Sequence, residues 1–229
     1  MSIGTGKTEL ENGIKLFRNE NYQEAIDSLE KTFENKNDIE SGYHLALAYA
    51  QIQNYDKTLE TFDKIMRRLD NPLRIMQAHI IVGYIYAIKE MYDLAEFELL
   101  DALASGIENT QIHSVLGYIY YKKNNTRKAI DSLRKAVAMD SQSANARNSL
   151  GFILADSGIN IEEGISEIKK ALNMDPKNPA YLDSLGWAFF KKNDIANAKE
   201  FLTKAFEIAP TNKDIKEHLI KLDQLGYKK

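Results

Sequence analysis

Leu185-Gly186-Trp187-Ala188-Phe189, followed by Ala198 twelve residues after the glycine, then Ala205 and Pro210, is the stretch on which the reading of this chain turns. The same arrangement stands at Leu116-Gly117-Tyr118-Ile119-Tyr120, again with an alanine, Ala129, twelve residues after the glycine. Outward from these two, a compact residue recurs at Gly13, Ala46, Gly83, Gly117, Gly151 and Gly186, at spacings of 33, 37, 34, 34 and 35. Self-similarity at a period of tens of residues marks stacked supersecondary units, here six. A second compact residue follows in each unit, at Ala25, Thr58, Ala95, Ala129 and Ala198, with Gly164 displaced by one where the fifth unit carries an inserted residue. Antiparallel helices approach closely only where bulky side chains are absent from the crossing point, so each unit predicts a helical hairpin with a small residue of each helix at the crossing.

The remaining positions agree. Asn21, Asn54, Asn125, Asn160 and Asp194 fall just before each second helix, where a short side-chain oxygen can cap free amides; Met91 is the exception. Leu45, Val82, Leu116, Leu150 and Leu185 precede the small residue, and Tyr49, Tyr86, Tyr120, Leu154 and Phe189 follow it by three, all on one helical face. In the second helices Leu29, Phe62, Leu99, Leu133, Ile168 and Leu202 recur, followed three residues later by Thr32, Ile65, Ala102, Ala136, Ala171 and Ala205. Pro176 and Pro210 stop the second helices of units five and six.

Leu-Gly-x-x-Tyr, an alanine twelve residues after the glycine, then alanine and proline: this pattern resembles the tetratricopeptide repeat family of 34-residue helical hairpins, from roughly Lys7 to Pro210. It is nearest to consensus in units four to six; unit one has Asn12 before its glycine and Thr32 for the later alanine, and unit two has Ala46, Thr58 and Ile65. The resemblance implies an all-α, right-handed superhelical solenoid of six hairpins, with units near 9–38, 39–71, 73–107, 110–142, 144–177 and 179–210. Residues 1–8 are expected as a flexible leader and 211–229 as a capping helix and tail, with apolar Ile215, Leu219, Leu222 and Leu225 on one face of that helix and Gly226 ending it. Three extra residues near Leu69-Asp70-Asn71-Pro72 are the candidate for a bend within one continuous domain.

Composition constrains function. Of 229 residues 44% are hydrophobic and 28% charged, with four prolines, as expected of a globular helical protein. A net charge of -3 gives no positive field to draw nucleic acid or anionic lipid, and no window approaches a membrane span. Absence of cysteine excludes disulfides and thiolate chemistry. The opening residues lack a basic segment followed by an apolar one, so the expected location is cytoplasmic, although a removed export signal would leave no trace.

No reactive constellation emerges from the sequence. Gly4-Thr5-Gly6-Lys7-Thr8 imitates the end of a phosphate-binding loop, but Met1 stands where the first glycine is needed and no strand precedes it. His79 and His113 occupy equivalent repeat positions, and His44 and His218 lack cysteine partners or a helical His-x-x-x-His spacing, so neither metal nor cofactor is expected. Glu162, Glu163 and the other acids fall at helix starts or exposed faces. The basic run Lys122, Lys123, Arg127, Lys128, Arg134 and Lys135 reads as a solvated face, with an acidic protein as its alternative partner.

In proteins of the resembled family the first helices line the concave side. Here a stripe turned away from the hairpin core carries Ile14, Leu47, Tyr84, Tyr118, Phe152 and Trp187 one residue after the small position. Four after it come Phe17, Ala50, Ala87, Tyr121, Ala155 and Phe190, and three before it Leu10, Tyr43, Ile80, Ser114, Asn148 and Asp183. The expected partner-binding residues are Tyr84, Tyr118, Tyr121, Asn148, Phe152, Trp187 and Phe190, set against packing between neighbouring first helices as the competing role. The carboxylate clamp of chaperone-docking family members is missing, because its positions hold Leu10, Ile14, His44, Gln77 and Ile81. The expected function is a non-catalytic scaffold binding a protein segment or peptide. A self-associating homo-oligomer and an accessory factor in a cell-envelope assembly are the alternatives.

Overall fold

The computed structural model describes residues 3–106 and 108–226. Thirteen α-helices run through them: α1 (Ile3–Arg18), α2 (Tyr22–Lys36), α3 (Ile39–Gln51), α4 (Tyr55–Ile65), α5 (Pro72–Ile88), α6 (Tyr92–Ala104), α7 (Thr110–Lys122), α8 (Thr126–Met139), α9 (Ala144–Asp156), α10 (Ile161–Met174), α11 (Pro179–Lys191), α12 (Ile195–Ile208) and α13 (Lys213–Gly226). No strand occurs among the described residues. Consecutive helices pair as α1/α2 through α11/α12, giving six hairpins followed by a lone helix. The chain forms two compact units, Met1–Ile107 and Glu108–Lys229.

The hairpins close as the sequence dictates, with one difference in mechanism. Every residue of the second-helix stripe, Leu29, Phe62, Leu99, Leu133, Ile168 and Leu202, is fully buried. Burying each such side chain stabilises the fold by about 1.5–3 kcal/mol. The sequence predicts small against small at the crossing, but in most hairpins the small residue of the first helix receives that large side chain. A Cβ added at Gly13 would stand 2.6 Å from Leu29 Cγ, at Gly117 2.5 Å from Leu133 Cγ, and at Gly186 2.7 Å from Leu202 Cγ. The fifth hairpin brings its two small residues closest among the glycines: a Cβ at Gly151 would lie 2.5 Å from the carbonyl oxygen of Gly164, against 3.4 Å from the Ala95 carbonyl oxygen for one at Gly83. The inserted residue shifts the register so that backbone meets backbone there.

Turns inside the hairpins rely on one left-handed residue just ahead of the second helix: Glu20, Gln53, Glu90, Asn124 and Asn193, and Gly158 (φ 71°) in the fifth. Asn54, Asn125, Asn160 and Asp194 then accept a hydrogen bond from the amide three residues on, whereas Asn21 and Met91 make no side-chain cap. Asn71 and Asn178 cap first helices that open on Pro72 and Pro179, where a missing amide proton costs nothing.

One expectation is corrected. The segment read as a flexible leader is helical from Ile3, with residues 1–2 outside the described part, so Gly4–Thr8 lies in a helix and not in a phosphate-binding turn. At 69–72 the extra residues follow a 3-10 turn over Met66–Arg68, with Leu69 buried, inside the first compact unit; the division between units falls at 107/108. The terminal helix matches the expected cap: Ile215 and Leu222 are buried, though the side chain of Leu225 lies outside the described residues.

Candidate functional site

Within the second unit, the first helices α7, α9 and α11 and the lone helix α13 enclose a groove of about 490 Å³. Tyr118, Tyr121, Asn148, Phe152, Asp183 and His218 are among the residues that line it. No second helix contributes a lining residue. Four of the seven residues expected from the sequence meet here. Tyr84 lies on α5 in the first unit and is 53% exposed.

Trp187 and Phe190 belong to the same face of α11 but do not line the groove. Trp187 is only 7% exposed. Its indole stacks on His218 at 4.1 Å between ring centroids and on Phe190 at 4.8 Å. The expectation that Trp187 faces a partner is therefore corrected: α13 continues the row of first helices, and its His218 covers the indole. Three residues before the repeat origin, the series Ser114, Asn148, Asp183 runs on to His218, whose Nδ1 lies 2.9 Å from Asp183 Oδ1.

A residue absent from the sequence-based set fastens the aromatic stripe. Asp156, at the end of α9, accepts a hydrogen bond from Tyr121 on α7 (2.6 Å) and one from the indole Nε1 of Trp187 on α11 (2.8 Å). Lys191 adds a cation at 3.4 Å. Burial pushes the Asp156 carboxyl up, but these donors and the Lys191 charge outweigh it, so its pKa lies below the ordinary value. Burial, with the hydrogen bond to Asp156, drives the Tyr121 phenol well above its ordinary value, so that it acts as a donor. A signal existed in the repeat alignment: five residues after the origin stand Arg18, Gln51, Ile88, Lys122, Asp156 and Lys191, of which Asp156 alone is acidic.

The packing role and surface role coexist along the stripe. Tyr121 packs edge-on against Phe152 at 6.0 Å. Tyr118 is 43% exposed, with the Lys122 ammonium 5.6 Å from its ring centre. Asn148 Oδ1 is buried without a hydrogen-bond partner among the described residues. The basic run does not act as a block, since Arg134 reaches Glu163 on α10 at 3.0 Å and Lys128 lies over the Tyr120 ring. Its member Lys122 lines the groove, opposite Asp214 and Glu217 of α13. All four histidines hold carboxylates, but the equivalent His79 and His113 differ: His79 reaches Glu98 on α6, whereas His113 turns back to Glu108.

Comparison with known proteins gives three family matches. A family described as TPR repeat matches residues 117–158, and two described as tetratricopeptide repeat match 40–69 and 180–212. Over 80 residues, 35% of this chain, the sequence is 34% identical to a TPR repeat-containing protein of Pseudomonas aeruginosa, and the match spans 13% of that relative's length. Among solved structures, YrrB, described as a TPR protein with an unusual peptide-binding site, is 25% identical with a TM-score of 0.60, over 82% of this chain and 96% of its own. PilW, described as a widely conserved type IV pilus biogenesis factor, has a TM-score of 0.74 at 14% identity, over 94% of this chain and 98% of its own. PilF of Pseudomonas aeruginosa has a TM-score of 0.73 at 13% identity, over 94% and 97%. Identities this low show a shared fold alone. No helix among the described residues is long and apolar enough to cross a membrane.

Proposed function

Given that this chain belongs to the tetratricopeptide-repeat family, we propose that it is a non-catalytic scaffold whose second unit holds an extended protein segment in the groove formed by α7, α9, α11 and α13. One observation carries the reading: the groove combines an exposed aromatic ring, Tyr118, with a side-chain amide, Asn148, whose carbonyl oxygen has no donor among the described residues. A buried acceptor without a donor costs about 1–3 kcal/mol, and a small rotation of the amide offers it to a peptide N–H. The ring supplies apolar contact with few rotamers to freeze. A groove that mixes Lys122 with Asp214 and Glu217 selects no single ligand charge, and recognition of the chain backbone suits such a lining. The peptide-binding description of YrrB is consistent with this use of the fold.

Affinity capture from the source cell with quantitative mass spectrometry, run in parallel on wild type, Tyr118→Ala and Asn148→Ala, tests the reading. A protein held by wild type is expected to bind each variant roughly tenfold more weakly in a direct titration. Equal retention of every captured protein by both variants removes the groove from consideration.

A further inference from the structure

The first unit carries a surface that the groove does not use. On α6, Leu94, Phe97 and Leu100 are exposed at 43%, 65% and 43%. Their spacing of three confines them to a sector about 120° wide on the helix surface. The repeats supply an internal control. Equivalent positions hold Glu24, Asp27 and Glu30 in the first repeat, Lys57, Glu60 and Asp63 in the second, and Lys128, Asp131 and Arg134 in the fourth. The fifth has Glu163, Ser166 and Lys169, one register later for its insertion, and the sixth has Asn197, Glu200 and Thr203. Five repeats thus present polar residues to water where the third presents two leucines and a phenylalanine, and hairpin formation does not require the difference. Clustered exposed apolar side chains of this size mark interaction sites.

A cleft of about 250 Å³ adjoins Phe97, between α4 on one side and α5 and α6 on the other. Leu59, Phe62, Met66 and Tyr86 give it apolar walls. The rim has one dominant sign. α6 carries Asp93, Glu96, Glu98 and Asp101 with no lysine or arginine, Glu90 precedes it, and Asp63 stands across the cleft beside a single base, Arg67. His79 lies between Glu98 and Asp101, 2.8 Å from Glu98 Oε2. Such a field repels nucleic acid and anionic lipid, and it opposes pairing of one α6 face with another. The chain's own basic surface on α8 does not match, because its outward positions are Lys128, Asp131 and Arg134, without an apolar stripe.

We propose that the α6 face and the adjoining α4/α6 cleft dock an amphipathic helix of another protein, with large apolar side chains along one side flanked by lysine or arginine. Phe97 is the anchor, the cleft takes an apolar side chain of the partner, and the acids of α6 select its charge. This surface belongs to the first unit, shares no residue with the groove of the second, and does not depend on it.

A fluorescein-labelled helical peptide with leucines on one face and lysines on the other serves as the probe, titrated against the full chain by fluorescence polarisation. Wild type is expected to bind it and to ignore the same peptide with glutamate for lysine. Phe97→Ser and, separately, Leu94→Ser weaken binding about tenfold or more while helix content by circular dichroism is retained, because neither side chain belongs to the buried core. Salt at about 0.5 M weakens it further. Tyr118→Ala leaves it unchanged, which separates this surface from the groove. Equal binding of the glutamate peptide, or wild-type affinity in both serine variants, overturns the proposal. So does a wild-type dimer in sedimentation that Phe97→Ser dissolves, since a second copy would then be the occupant.

Discussion

At the scale of single residues, close approach and hydrogen bonding divide the labour. Gly151 and Gly164 sit backbone to backbone, and a methyl group at either would meet a carbonyl oxygen at 2.5–2.6 Å. At Gly117 the obstacle is the Leu133 side chain, which has rotamers to yield. Gly151→Ala is therefore expected to destabilise the protein by about 2–3 kcal/mol and Gly117→Ala by less, read as the shift in free energy from urea denaturation. The reverse order would mean that the fifth hairpin relaxes where its backbone contact says it cannot. Repetition made the compact residues visible, since a glycine every 34 residues stands out without coordinates. That Gly13, Gly83, Gly117 and Gly186 each receive a leucine was not visible, because that leucine is sixteen residues away on another helix and only packing reveals it.

At the scale of elements, α13 is more than a lid on an apolar end. It stands in the row of first helices as if it opened a seventh repeat, burying Ile215 and Leu222 and placing His218 over Trp187. The amphipathic pattern of α13 was legible, as were its approximate limits. Its contribution to the groove was not, since the link between Asp183 and His218 spans 35 residues and appears only when the stacking register is known. Removing the imidazole tests this arrangement: His218→Ala uncovers the indole, so the emission of Trp187, the chain's single tryptophan, should move to longer wavelength while helix content by circular dichroism stays level. An unshifted emission maximum would show that α13 does not shield the ring. The third hairpin makes a similar point from the opposite direction. Its apolar positions 94, 97 and 100 were readable all along, but a leucine looks like core until its exposure is known.

For the whole molecule, buried and half-buried carboxylates set the response to acid. Hydrogen bonds from Arg74 hold the Glu40 carboxyl below its ordinary range. Burial raises Glu167, but Lys170 and Arg147 more than reverse it, and Asp156 is depressed in the same net direction. A group with a depressed folded pKa binds its proton less readily folded than unfolded. Its stabilisation is thus complete above the unfolded value, near 4, and is lost as pH falls through the folded one. Stability should accordingly decline below about pH 4, and Asp156→Asn should flatten that decline in a series of urea titrations, at a loss of stability near neutrality. A slope identical to that of wild type would remove Asp156 from the acid response. Apart from Lys170 and Glu167, three residues apart on α10, these pairs span different helices or repeats, so no short window of sequence contains them, and neither Asp156 nor Glu167 stood out in the sequence as an organising residue.

Periodicity alone settled the helical hairpins, their six-fold repetition and the positions of most caps, because those depend on neighbours within about forty residues that recur in register. Tertiary structure decided which aromatic rings face water and which are consumed in packing: Tyr118 is 43% exposed while Trp187 is covered. A side chain's solvent exposure is a property of what lies across from it. For Trp187 that is a residue on a helix outside the six repeats, in a position that stacking alone defines.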